Sequence, residues 1–242
     1  MSTLCIDDLY RGLGWYGKLP AAGDFVHRRI PTDAINFWHQ WLSQSLVEQK
    51  QHGRSLQPYY ARAPIWNFVL PAGLSSDHTT IQLGCIAPSQ DRVGRLYPLV
   101  VSLVLPAEQY QAQLLQGAAR YLQTIGRLVQ SATQQGCSVP QFDAALIEAS
   151  PVMTAMLPTA SSVSATNDNA ILSILNMGHE SPPVADIEED QLSWPAVVEC
   201  FHPQTHNSYW WTNQATGAAH RALVHGGRLT PLLFSRLFGA QA

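Results

Sequence analysis

The sequence predicts an α/β protein, a three-layer αβα sandwich built on a mixed central sheet. Three observations carry that expectation. The run Leu99-Val100-Val101-Ser102-Leu103-Val104-Leu105 is nearly all apolar, as a strand covered on both faces has to be. Amphipathic helical patterns lie before it, over residues 31–51, and after it, over residues 107–134. Two further β-rich runs, 65–70 and 81–86, precede it with Pro and Gly between them. The first three strands are thus joined without helices, and the sheet is expected to be mixed rather than purely parallel.

Taken in order, the chain opens on a turn-rich segment, residues 12–31. Pro31-Thr32-Asp33 then offers a cap for a helix to about Gln51, with Phe37, Trp38, Trp41, Leu42 and Leu46 at spacings of three and four. The three strands follow, with a second turn-rich segment at 88–98. From Ala107 to about Gln134, Tyr110, Leu114, Leu115, Ala118, Tyr121, Leu122, Ile125, Leu128 and Val129 repeat with helical period, and Gly136 is placed to end the helix. Pro140 starts a shorter helix carrying Phe142, Leu146 and Ile147, broken near Pro151. Residues 158–169 and 180–190 read as exposed loops, and 171–175 is too short to assign. Runs at 196–201 and 208–212 look like strands joined by a polar turn, and Thr230-Pro231 opens a last helix through Leu232, Leu233, Leu237 and Phe238. No repeat or composition shift divides the chain, so residues 1–242 are expected to form one α/β domain.

Composition narrows the function. Hydrophobic residues reach 46% and charged residues only 13%, which predicts a large core and an unusually neutral surface. A formal net charge of −3, with 14 Lys and Arg residues in no run, argues against nucleic acid as a partner. No stretch approaches the about 18 apolar residues of a spanning helix, and the N-terminus lacks the basic head and apolar run of a leader, so a cytoplasmic location without membrane insertion is expected. Cys5, Cys85, Cys137 and Cys200 are widely spaced and read as reduced, mostly buried thiols.

Catalytic and ligand-binding signatures are weak. There is no Gly-x-Ser-x-Gly elbow, Walker loop or dinucleotide fingerprint, and nothing calls for a cofactor. His202 and His206 have a metal-like spacing, but Pro203 between them opposes the helical turn that would align their rings, so a solvent-facing pair in a turn is expected. Two segments stand out instead. The first, 14–31, packs aromatics, glycines and charges into one non-helical stretch, in which Asp24 can accept from loop amides or pair with Lys18, Arg28 or Arg29. The second, 88–98, places Ser89, Asp91, Arg92 and Arg95 between two strands, either to hold a phosphate or to fix an arginine internally through Asp91. Trp210 and Trp211, adjacent on a strand, should face opposite sides, one in the core and the other covering a surface or interface.

Together, Gly14-Trp15-Tyr16-Gly17-Lys18-Leu19-Pro20 with Gly23-Asp24-Phe25, then Pro88-Ser89-Gln90-Asp91-Arg92-Val93-Gly94-Arg95-Leu96-Tyr97-Pro98-Leu99, then Ser208-Tyr209-Trp210-Trp211, resemble the TagF (ImpM) family of type VI secretion-associated proteins. The resemblance is specific over the first hundred or so residues and follows only the general layout between residues 105 and 191. It implies a non-catalytic cytoplasmic accessory protein of a Gram-negative bacterium that represses secretion post-translationally. The partner it implies is the system's forkhead-associated scaffold protein. Some relatives carry a fused protein phosphatase domain, for which 242 residues leave no room. Trp15, Lys18, Asp24, Phe25, Asp91, Arg92, Arg95 and Trp211 carry over as family-defining, with Arg28 and Ser89 as further partner-binding or motif candidates. No catalytic residue carries over. The reading from a different class is an enzyme or phosphate-responsive sensor using Asp24, Asp91, Arg92 and Arg95 in one cleft, and a third is a structural subunit of the apparatus.

Overall fold

The computed structural model describes residues 4–51, 57–75, 78–158 and 191–239. Seven strands form one sheet: β1 (Leu13–Gly17), β2 (Val26–Arg28), β3 (Trp66–Leu70), β4 (Thr80–Ala87), β5 (Leu99–Pro106), β6 (Asn207–Thr212) and β7 (Ala222–Gly226), in the order β2-β1-β5-β4-β3-β6-β7. The helices are α1 (Ile6–Gly12), α2 (Thr32–Gln51), α3 (Gln57–Tyr60), α4 (Ala112–Gln116), α5 (Ala118–Gln135), α6 (Val139–Ala149), α7 (Ala196–Cys200) and α8 (Pro231–Phe238).

The period-2 alternation of β5 explains the layering. Leu99, Val101, Leu103 and Leu105 enter the hydrophobic cluster shared with Tyr121, Leu122, Ile125 and Val129 of α5 and with Phe142 and Leu146 of α6. Val100 and Val104 enter the opposite cluster, with Trp38, Trp41 and Leu42 of α2 and Leu233, Phe234, Leu237 and Phe238 of α8. The fully apolar run is therefore what a central strand between two helical layers requires, and the αβα sandwich is observed. The polar residue in that run, Ser102, is paired rather than stranded. Its hydroxyl donates to Gln82 Oε1 (3.2 Å), which also accepts from Trp38 Nε1 (2.8 Å).

The sheet departs from a mixed one in a single respect: all six strand pairings are antiparallel. Parallel neighbours need a crossover between adjacent strands of the same direction. Here the long excursion from β5 through the helices returns the chain beside β3 running against it, the connection through α2 and α3 carries the chain from edge strand β2 to β3, and the remaining connections are hairpins or short loops. β1, β2 and β7, too short or too mixed in pattern to stand out in the sequence, complete the edges.

Other boundaries shift for local reasons. The helix expected over 107–134 is three pieces, a 3-10 turn at Ala107–Gln109, then α4 and α5. The break falls at Gly117, where a Cβ would collide with the Ala155 carbonyl of the 3-10 segment Ser150–Met156 packed against it. The helix ends at Gly136 as expected. The run at 196–201 is helix α7 rather than strand. Its β-branched valines sit in a single turn begun at Pro195, and of the five helical residues only Val197 is buried, so one helical contact outweighs strand propensity. Of the cysteines only Cys85 is buried, its thiol pushed well up by burial; Cys137 is half-buried, and Cys5 and Cys200 are exposed, contrary to the mostly buried set expected. The expectations for residues 159–190, two loops and the short run at 171–175, lie outside the described residues.

Candidate functional site

β1 pairs with β5 with Gly17 opposite Leu99, and β4 pairs with β5 with Ala87 opposite the same residue. The loop from β1 to β2 and the loop from β4 to β5 therefore leave the sheet at one end, side by side. Sheet register alone thus brings the two motif segments together. Gly17 permits the close approach: its φ is +144°, and a Cβ there would collide with the Pro98 carbonyl.

Asp91 is the centre of this corner. It is 1% exposed, and its Oδ2 accepts from Lys18 Nζ at 2.8 Å and from Arg95 Nε at 2.6 Å. Its Oδ1 accepts the backbone N–H groups of Val93 (3.1 Å) and Arg95 (2.9 Å). Burial by itself raises the pKa of such a carboxyl, but the hydrogen bonds from Lys18, Arg95 and Val93 outweigh it and hold Asp91 well below the usual carboxylate range. The loops are stitched further by Ser89 Oγ donating to the Lys18 carbonyl (2.7 Å), Arg95 Nη2 to the Gly23 carbonyl (2.7 Å) and Arg92 N–H to the Ala22 carbonyl (2.9 Å). Ser89 N–H donates to the hydroxyl of Tyr60, a phenol whose acidity burial suppresses.

Over this charged clasp lies an aromatic cluster. Phe25 stacks on Tyr16 (centroids 5.9 Å) and meets Tyr97 (4.7 Å) and His39 (5.5 Å) edge to face, with Lys18 Nζ 5.0 Å from its ring centre. Beneath it the Tyr16 hydroxyl shares hydrogen bonds with His39 Nδ1 (2.7 Å) and with the Tyr97 hydroxyl (3.2 Å). Phe25 itself is 40% exposed.

Trp15, two residues before Gly17, is fully buried, its ring edge-on to Phe142 and its Nε1 donating to Asp143 Oδ1 at 2.8 Å. Arg29, in a left-handed backbone conformation, also reaches the Asp143 carboxylate at 2.8 Å. Asp143 is held below its ordinary range: burial raises it, and the bonds from Arg29 and Trp15 outweigh that.

Of the ten residues singled out by sequence, Lys18, Asp24, Phe25, Ser89, Asp91, Arg92 and Arg95 share this corner. The exposed Asp24 caps its own loop, its Oδ1 accepting from Phe25 N–H (2.8 Å). Arg28 is exposed on the edge strand β2 and donates to the carbonyl of His27, while Trp15 turns inward to α6. Trp211 is elsewhere, fully buried beside Trp194 (6.1 Å). Trp210 and Trp211 do face opposite sides, but both are buried, because both faces of β6 are covered; neither forms a surface. A cleft joining Asp24, Asp91, Arg92 and Arg95 is not what the fold builds: Asp91 is enclosed and satisfied, and Asp24 binds its own loop. His202 and His206 are exposed in the turn before β6, and among the described residues no group of three or more His, Cys, Asp or Glu is placed to hold a metal. Sequence reasoning missed Asp143, His39 and Tyr16, whose roles depend on helix packing and leave no mark in local spacing.

A three-layer domain whose two motif loops are clasped around the buried Asp91, with Phe25 left half-open above them, is the class of protein this architecture defines. The chain belongs to the family described as TagF N-terminal domain, Type VI secretion system-associated, which it matches over residues 14–149. It is thus a type VI secretion-associated protein. The fold is similar to that of PA0076 from Pseudomonas aeruginosa, whose crystal structure superposes with a TM-score of 0.64 at 24% identity over 95% of each chain. No curated protein matches the sequence. Among the described residues no helix is long and apolar enough to cross a membrane.

Proposed function

We propose that this protein is a non-catalytic cytoplasmic regulator that represses type VI secretion post-translationally by binding a component of the system, its forkhead-associated scaffold protein. The observation that carries this reading is the exposure of Phe25. Large aromatics are normally covered, and the ring is held rigid by three aromatic neighbours and a lysine, the pre-organised anchor on which interfaces concentrate their binding energy. Arg92 and Arg95 add exposed charged groups to the same corner, Arg28 is exposed on the neighbouring edge strand, and the low overall charge favours association. Lys18, Ser89 and Asp91 support that surface from within, Asp24 holds the loop that presents Phe25, and Trp15 and Trp211 are core residues away from it. We further take residues 1–242 as one domain, since β6, outside the family match, pairs directly with β3 inside it.

The test is co-purification of the scaffold protein with the wild type and with Phe25→Ser, alongside secretion in a deletion strain complemented by each. Association should fall at least about tenfold with Phe25→Ser while the fold is retained, and secretion should rise. No association of the wild type at micromolar concentration, with secretion unchanged by deletion, overturns the proposal.

A further inference from the structure

A cavity of about 470 Å³ opens beside the clasp, on the other side of Ser89 from Asp91. Its walls come from four separate places: the approach to β3, the start of the β4–β5 loop, the last turns of α5 and the loop from β6 to β7. None of its lining residues is Asp or Glu, while two are arginines, Arg62 and Arg221. Arg221 lies over the face of Trp66, 5.8 Å from the ring centre, and its Nη1 is buried with no hydrogen-bond partner among the described residues. The exposed Arg62 side chain likewise makes no ion pair among them. Gln130 and Gln134 add amide groups to the same wall.

A buried guanidinium N–H without an acceptor is costly, and native structures keep few of them. The volume is that of a small-molecule site, and the guanidinium fork is shaped for the two oxygens of a carboxylate or phosphate. The last turn of α5 presents its carbonyl end to the cavity, which opposes an anion in part, but that partial charge is smaller than the two full positive charges.

We propose that this cavity binds a small metabolite bearing an oxyanion, a phosphate or carboxylate group, held by Arg221 with Arg62 as the second cation. The site gives the protein a means to respond to a soluble anion, and it does not rest on the partner-binding role proposed for Phe25.

The test is calorimetric titration of the full chain with inorganic phosphate and with citrate, at ionic strength matched with chloride. Saturable binding of at least one probe is expected. It should weaken roughly tenfold or more in Arg221→Gln, as expected for a lost charged hydrogen bond, less in Arg62→Gln, and not at all in Arg92→Gln, which lies outside the cavity. Binding of phosphate alone assigns a phosphorylated ligand, and of citrate alone a carboxylated one. Should Arg221→Gln fail to fold by circular dichroism, Arg221→Lys keeps a cation over Trp66 but loses the fork, and must still weaken binding. No saturable heat with either probe up to tens of millimolar, or unchanged affinity in the folded Arg221 variant, overturns the proposal.

Discussion

The clasp around Asp91 and the cavity around Arg221 share one end of the sheet and are separated by little more than Ser89, yet they treat positive charge in opposite ways. In the clasp, Lys18 and Arg95 converge on a carboxylate that is also saturated by backbone amides. In the cavity, Arg62 and Arg221 meet no carboxylate among the described residues. The sequence motif marks the first, and lends the second only Pro88, Ser89, Gln90 and Leu96 and none of its charges. The contrast teaches that the most conspicuous carboxylate of a motif can be wholly committed inside the molecule, while unremarkable residues from four segments assemble a part with positive charge to spare.

The contrast is broken most directly at Asp91. Asp91→Asn leaves the Lys18 ammonium buried, its side chain only 7% exposed, without a counter-charge. Removing one partner of a buried pair costs about 3–5 kcal/mol, far more than deleting a surface pair. Denaturant unfolding should show a loss of that size, and a change within experimental error would mean that the clasp is dispensable. The pH dependence has a definite sign. The folded carboxyl is held below its unfolded value of about 3.9, so its stabilisation is fully present above roughly pH 5 and fades as pH falls below about 4. The stability gap between wild type and Asp91→Asn should therefore be constant near neutrality and narrow in acid.

Trp15 offers the next largest effect, because it couples the same motif to α6. Trp15→Phe keeps most of the ring packing on Phe142 but removes the donor to Asp143, leaving Arg29 to hold that carboxylate alone. A loss of about 1–3 kcal/mol is expected from the unmade hydrogen bond and the smaller ring. A thermal melt that leaves the wild-type midpoint unchanged would detach Trp15 from the clasp and make it ordinary core.

How far the sequence reveals this arrangement depends on the range of the interactions. Residues 99–105 and the helix from Thr32 to Gln51 are legible because their patterns are local, although Thr32 and Asp33, expected as the helix's cap, lie in its first turn. The terminal helix is legible by its pattern and its Thr230 cap. The internal pairing of Asp91 with Arg95 is legible too, lying four residues away on one loop. The antiparallel return of β6 beside β3 is not, since strand direction is set by where a long excursion ends. Nor is the helical state of 196–200, where propensity favours a strand and one buried contact of Val197 decides otherwise. The burial of both Trp210 and Trp211 required knowing that helices cover both faces of β6. The cavity is least visible of all: Arg62, Gln130 and Arg221 have no shared spacing, and only the packed sheet brings them to one place.

The smallest effect gives the finest comparison, between two arginines on one loop. Arg95 donates to both Asp91 and the Gly23 carbonyl, although its side chain is 60% exposed, whereas Arg92 is exposed and contributes only its backbone N–H to the stitching. Solvent screening limits what Arg95 contributes, so Arg95→Gln should cost only about 1 kcal/mol, and Arg92→Gln should stay within about 0.5 kcal/mol of wild type. Both changes remove one positive charge from the surface around Phe25. If that surface docks an acidic partner, stopped-flow association with the scaffold protein should slow equally for both at low salt and converge with wild type at high salt, because rim charges act on encounter more than on the bound state. Equal stability losses in the two variants would instead show that Arg95 adds nothing to the clasp, and that Lys18 and the loop amides alone hold Asp91 in its charged form.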